Sequence, residues 1–109
     1  MSGKPVVLRD LARNDIEQAV GHYLAEAGAT LALDFIDTLE ASLNRIGEQP
    51  ESGSPRYAHE LDIPGLRFLS TGRFPYLIFY VAREAEIDVW RVLHGARDIP
   101  AWMRELGGR

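Results

Sequence analysis

The hydrophobic period changes halfway along the chain, and that change constrains the fold more than any single motif. In the first half, Ile16, Ala19, Val20, Tyr23, Leu24 and Ala27 recur at helical spacing, which makes one apolar stripe on an amphipathic helix. Asn14 or Asp15 lies near its start, and Asp15 and Glu17 suit the positive end of the helix dipole. Gly28 fits a C-cap, where glycine accepts a left-handed backbone. A second stripe follows at once: Ala32, Phe35, Ile36, Leu39, Leu43 and Ile46, with Asp34, Asp37 and Glu40 on the opposite side. So short a connection predicts an antiparallel helical hairpin. Gly47 and Pro50 end the second helix, and EQPESGSPRY has the composition of a loop.

The second half reads as strands. Leu66 to Ser70 is a short one; YLIFYVAR and IDVWRVL are longer, rich in β-branched and aromatic residues, and separated by a turn at Glu84–Glu86. Both are apolar on two faces, which predicts mid-sheet positions with something packed on each side. PVVLR near the start is a further strand. Near the end, Gly95 breaks the last strand, and Asp98 with Pro100 opens a short helix around AWMREL. The expected architecture is α+β, a single domain over 1–109. Its order is β-α-α-β-β-β with a short C-terminal helix, the helical hairpin lying on a small antiparallel sheet.

Charge narrows the function. From Asp10 to Glu51 there are nine acidic and two basic residues; from Ser52 to Arg109 there are seven acidic and eight basic, and the formal net charge is −4. A generic nucleic-acid binder would carry a dense basic patch, so no direct nucleic-acid binding is expected. The acidic half reads as two solvated helix faces, the alternative being a surface that binds a basic partner. No cysteine is present, which excludes disulfide and thiolate chemistry and fits a reducing, cytoplasmic setting. No apolar run approaches the ~20 residues of a membrane span, and MSGKPVVLRD is too polar for a signal peptide.

Few residues offer chemistry. His94, Arg97 and Asp98 stand close together in VLHGARDIP. As a catalytic group, His94 would be a general base oriented by Asp98, but only Ser70 and Thr71 could serve it as nucleophile, and only if the fold brought them near. As a strand exit, the same residues are a break, a solvent-facing arginine and a helix cap; this second reading is preferred. His22, His59 and His94 make no metal motif, and His22 reads as a surface residue. Gly65 and Gly72 mark turns, not a phosphate loop. Arg67, Arg73, Arg83 and Arg91 fall on or beside the strands. Arg91 lies inside IDVWRVL, on the same face as Ile87, Val89 and Leu93. A charge there needs either an Asp or Glu from a neighbouring strand or a carboxylate or phosphate from outside.

Three stretches carry a family resemblance. FIDTLEASLNRIGEQPESG resembles a helix ending in a Pro-x-x-Gly loop. LRFLSTGRFPYLIFYVAR is similar to an LR…(F/Y)PY-x-I-x-Y strand pattern, and VWRVLHGARD to an R-V-(L/I)-H-G-x-R-(D/N) strand exit. Together they resemble the ParE branch of the RelE/ParE toxin superfamily. The resemblance implies two helices on a small antiparallel sheet. It implies a type II toxin–antitoxin pair in which a ParD-like antitoxin wraps the toxin as a hetero-oligomer. For the ParE branch it implies DNA gyrase as the target, with neither cofactor nor catalytic residues; for the RelE branch it implies ribosome-dependent cleavage of messenger RNA.

Metal-free in-line RNA cleavage needs clustered basic groups to stabilise the phosphorane. Here the single lysine is Lys4 and no tyrosine follows Tyr80, which favours the ParE branch. The alternatives are a RelE-type endonuclease and a non-toxic antitoxin-binding module. Under the ParE reading, Phe35, Leu39, Arg67, Arg73, Tyr80 and Arg91 are expected to meet the antitoxin. Arg97, Trp102, Met103 and Leu106 are expected to meet the target.

Overall fold

The computed structural model describes residues 3–104. Strand β1 (Val6–Leu8) leads into helix α1 (Asp10–Ala27), and helix α2 (Ala29–Glu48) follows. The single residue Gly28 joins the helices at φ 92°, a left-handed backbone that an L side chain would strain. Its amide donates to the carbonyls of Tyr23 and Leu24, so the hairpin turn is also the cap of α1. Helix α1 starts earlier than expected. Arg9 is extended and gives its N–H to Val89 of the sheet, so the helix begins at the sheet edge, and Asp15 lies inside it instead of at its N-terminus. The apolar stripe fades toward the tip: Leu24 is 53% exposed.

Beyond α2, a 3-10 turn (Pro50–Ser52) and a five-residue helix α3 (Arg56–Glu60) occupy the stretch expected to be plain loop. Then come β2 (Leu66–Ser70), β3 (Tyr76–Ala82), β4 (Ile87–His94) and helix α4 (Ile99–Arg104). Asp98 caps α4 as expected: its carboxylate accepts the Ala101 N–H at 3.3 Å.

The sheet runs β1-β4-β3-β2. β2, β3 and β4 are antiparallel neighbours, whereas β1 pairs parallel to β4, Val6 opposite Ile87 and Leu8 opposite Val89. Parallel pairing requires a crossover, and the helical hairpin is that crossover. Both sheet faces are covered, as the two-sided apolar strands predict. Ile78 and Tyr80 of β3 pack with Ala12, Ala19, Phe35, Leu39 and Ile46 from the hairpin. Phe79 and Val81, on the other face, pack with Leu66, Ile99 and Met103.

β4 is not regular. Phe79 pairs with Arg91 but Tyr80 pairs with Val89, so Trp90 is an extra residue, a bulge that inverts the alternation of the strand. Ile87 and Val89 therefore belong to the hairpin-side core, while Leu93 belongs to the opposite one. The expectation that Arg91 shares a face with Ile87 and Val89 is corrected by that bulge.

Candidate functional site

Strand β1 stops at Leu8, so β4 has no strand neighbour beyond Val89 on that side among the described residues. Asp15, projecting from the second turn of α1, fills the place. Its carboxylate accepts the Val92 N–H at 3.0 Å. The same carboxylate takes two hydrogen bonds from Arg91, from Nε at 2.7 Å and from Nη2 at 2.8 Å. Both side chains are buried, 4% and 7% exposed. Arg91 also donates from Nη1 to the Trp102 carbonyl at 3.2 Å, and its guanidinium lies 5.5 Å from the Trp102 ring centroid. One arginine thus ties α1, β4 and α4 together. Its partner comes from a helix, not from the neighbouring strand that the sequence suggested.

Next to this ion pair lies an open cleft of about 540 Å³. Asp15, Gln18 and His22 line it from α1, Tyr76 and His94 from the strands, and Arg97 and Trp102 from the strand exit and α4. VLHGARDIP is therefore both a strand exit and a cleft wall. His94 stacks edge-on against Tyr76, with ring centroids 5.3 Å apart. Its Nδ1 accepts the Ala96 N–H at 3.0 Å, which places the imidazole proton on Nε2. Arg97 lies over the Trp102 ring, 4.0 Å from its centroid. Burial raises the Tyr76 phenol above its ordinary pKa, and the nearby Arg97 charge opposes that rise.

The cleft lacks the makings of a hydrolytic triad. Thr71 gives its hydroxyl to the Phe74 carbonyl at 2.8 Å inside the β2–β3 turn, and the Ser70 hydroxyl accepts the Gly72 N–H. Asp98 serves the α4 cap. Among the described residues no group of three or more His, Asp or Glu side chains is placed to hold a metal, and no helix is long and apolar enough to cross a membrane.

The residues expected to meet an antitoxin fall into two sets. Phe35, Leu39, Tyr80 and Arg91 are all at most 4% exposed, so their side chains shape the surface instead of forming it. Tyr80 holds the Pro-x-x-Gly loop: its hydroxyl donates to the Pro50 carbonyl at 2.6 Å and accepts the Gly53 N–H at 3.0 Å. Burial raises the Tyr80 phenol pKa, opposed by that Gly53 hydrogen bond and by Arg67. A Cβ at Gly53 would come within 2.5 Å of the Tyr80 hydroxyl and 2.9 Å of the Phe68 carbonyl, so only glycine fits. Arg67 binds the same loop through the Gly53 carbonyl at 2.7 Å. Arg73 is open to solvent and faces Asp34 across 3.5 Å.

Of the residues expected to meet a target, Arg97 is exposed, Trp102 is half-buried, and Met103 is 2% exposed beneath α4. Leu106 lies outside the described residues.

A second charged cluster went unnoticed in the sequence. Asp88 accepts from Arg9 at 3.0 and 2.9 Å, from Arg83 at 3.2 and 3.0 Å, and from the Trp90 indole at 3.1 Å. Burial pushes its carboxyl pKa up, but these donors together outweigh burial and hold it below the usual carboxylate range. Arg9 also stacks 4.1 Å over the Trp90 ring centroid.

The family described as the ParE toxin of the parDE type II toxin–antitoxin system matches residues 6–99. The chain belongs to that family. Among curated proteins, none matches it. Among solved structures, it is similar to one described as the chromosomal ParDE toxin–antitoxin system of P. aeruginosa, with TM-score 0.70 and 20% identity over 84% of this chain and 95% of that one. At that identity the likeness is one of fold. In this member of the ParE family, the Pro50–Gly53 loop, the Phe74–Pro75–Tyr76 turn and the Arg91–Asp98 strand exit are each fixed by contacts described above, and the strand exit borders the cleft.

Proposed function

We propose that this ParE-family chain is a toxin that inhibits DNA gyrase by binding it, and that a ParD-like antitoxin neutralises it. The observation that carries the non-enzymatic part is the closure of Arg91 on Asp15. In-line cleavage of RNA would need cations converging on the phosphate. Three of the strand-associated arginines are held within the fold: Arg91 by Asp15, Arg67 by loop carbonyls and Arg83 by Asp88.

Antitoxin binding combines an amphipathic helix over the hairpin with an extended segment at the sheet edge. Leu24 and Leu33, 53% and 59% exposed, and Arg67 and Arg73 provide direct contacts. Phe35, Leu39, Tyr80 and Arg91 keep that surface in shape. Arg97 and Trp102 face the target, with Met103 anchoring the helix that carries Trp102.

The test is a supercoiling reaction with relaxed plasmid, gyrase and the purified chain. Lost supercoiling or trapped cleaved DNA at near-stoichiometric protein is the expected result. Full supercoiling with a folded protein would transfer the proposal to ribosome-dependent RNA cleavage.

A further inference from the structure

Asp88 meets more donors than one carboxylate can serve. Five hydrogen bonds reach it, from two guanidiniums and the Trp90 indole. Four of them fall on one oxygen, Oδ2: Arg9 Nη2 at 2.9 Å, Arg83 Nε at 3.2 Å and Nη2 at 3.0 Å, and Trp90 Nε1 at 3.1 Å. A carboxylate oxygen offers two lone pairs, so these donors compete for it. The charge is unequal as well. Two guanidiniums face one carboxylate, and among the described residues neither arginine pairs with a second acid. Lys4 brings a third cation to the same corner, its Nζ donating to the Arg83 carbonyl at 2.6 Å.

The corner is open to solvent. The side chains of Arg9 and Arg83 are 32% and 50% exposed, against 12% for Asp88. β1 is the edge of the sheet here, and Val7, opposite Asp88, is exposed. Both arginines spend Nε and Nη2 on Asp88, so Nη1 of each has no acceptor among the described residues. Ile87 and Val89 belong to the core beneath the hairpin, so Asp88 between them lies on the face of the sheet away from the hairpin. The Trp90 ring, 4.1 Å from the Arg9 guanidinium, holds that cation in place before any ligand arrives.

A second oxyanion between the arginines relieves both imbalances. A phosphoryl group suits them better than another carboxylate. Its oxygens point in tetrahedral directions and meet two guanidiniums from two strand ends, whereas the coplanar oxygens of a carboxylate are satisfied by one arginine fork. The net charge of −4, with Glu84 and Glu86 in the adjoining turn, opposes a row of phosphates. We infer that Arg9 and Arg83 bind a single phosphoryl group, carried by a small phosphate ester or by one backbone position of a nucleic acid, with Asp88 and Trp90 holding the guanidiniums in position. Such a site stands whether or not the chain acts on gyrase.

The test follows the Trp90 indole N–H in the NMR spectrum of the full chain; the chain has two tryptophans, and Trp102→Phe assigns the signal. Inorganic phosphate at constant ionic strength is expected to shift it saturably, and acetate at the same concentration is not. Arg83→Gln leaves the Arg9–Asp88 pair and the indole bond in place. It is expected to weaken phosphate binding about tenfold, as loss of a charged hydrogen bond does, with partial recovery in Arg83→Lys. Arg45→Gln, exposed on α2, removes the same charge and is expected to bind phosphate as the wild type does. Thermal unfolding checks that the variants fold, and the wild-type comparison of phosphate with acetate decides by itself if Arg83→Gln does not. No saturable shift, an equal response to acetate, or equal affinities in Arg83→Gln and Arg45→Gln overturns the inference. Where phosphate binds, its displacement by a short duplex oligonucleotide identifies a backbone phosphate as the source, and its retention identifies a small ester.

Discussion

Asp15 and Arg91, 76 residues apart, form a two-bond ion pair in which the carboxylate also caps the Val92 amide. The pair stands where β1 gives out, so it replaces a missing strand with a side chain. Removing one partner leaves the other charge buried. Asp15→Ala is expected to lower unfolding free energy by about 3–5 kcal/mol, read from urea denaturation. Asp15→Leu combined with Arg91→Met should recover most of that loss, because the penalty comes from the orphaned charge. Equal losses in the single and double variants would contradict this.

Tyr80→Phe removes both hydrogen bonds that hold the Pro50–Gly53 loop. A cost of about 1–3 kcal/mol is expected, together with faster amide exchange at Gly53. Gly53→Ala should be at least as damaging, since the added carbon meets a backbone carbonyl as well as the phenol. A stable Gly53→Ala protein with a protected loop would show that the loop can move away from Tyr80.

The pH dependence of stability has two limbs. Asp88 has a folded pKa below its ordinary 3.8, so it contributes stability above that value and loses it as pH falls through the lowered folded value. Asp88→Asn should flatten the acid limb of a plot of urea midpoint against pH. Tyr23, Tyr76 and Tyr80 have folded pKa values above 10.0. Their contribution is complete below pH 10.0 and declines as pH rises through the raised values. Tyr80→Phe should shallow the alkaline limb; an unchanged slope would assign it elsewhere.

Met103 and Trp102 sit one residue apart on α4 with different surroundings. Met103→Ala should cost about 2–5 kcal/mol, as buried truncations do. Trp102→Ala should leave more of the stability but reduce gyrase inhibition at matched folded concentration. If both variants lose inhibition only in proportion to unfolding, α4 is a cover for the sheet and not a target surface.

The helices, β2, β3 and β4 were legible because their apolar spacing has a clear period over many residues. The parallel pairing of β1 was not, since three residues carry no sign of which strand they join. α3 was hidden because one short helical turn set among Pro, Gly and Ser looks like loop. The Trp90 bulge was invisible to a reading that assumes strict alternation, and it misplaced Arg91 by a face. That Arg91 needed a partner was clear from its apolar surroundings; that Asp15 supplied it was not, because Asp15 imitates an N-terminal helix residue. The cleft escaped for a similar reason: Gln18, His22, Tyr76 and Arg97 come from distant segments, and each alone looks like surface.

The parallel seat of β1 on β4 has a consequence for how the chain is born. The partners of Val6, Val7 and Leu8 are Ile87, Asp88 and Val89, so the first strand has nowhere to dock until β4 has been synthesised. Such long-range closure is slow and comes late. The Asp15–Arg91 pair and the cleft wall wait on the same event. The nascent chain therefore completes its surface only once β4 has emerged to seat β1.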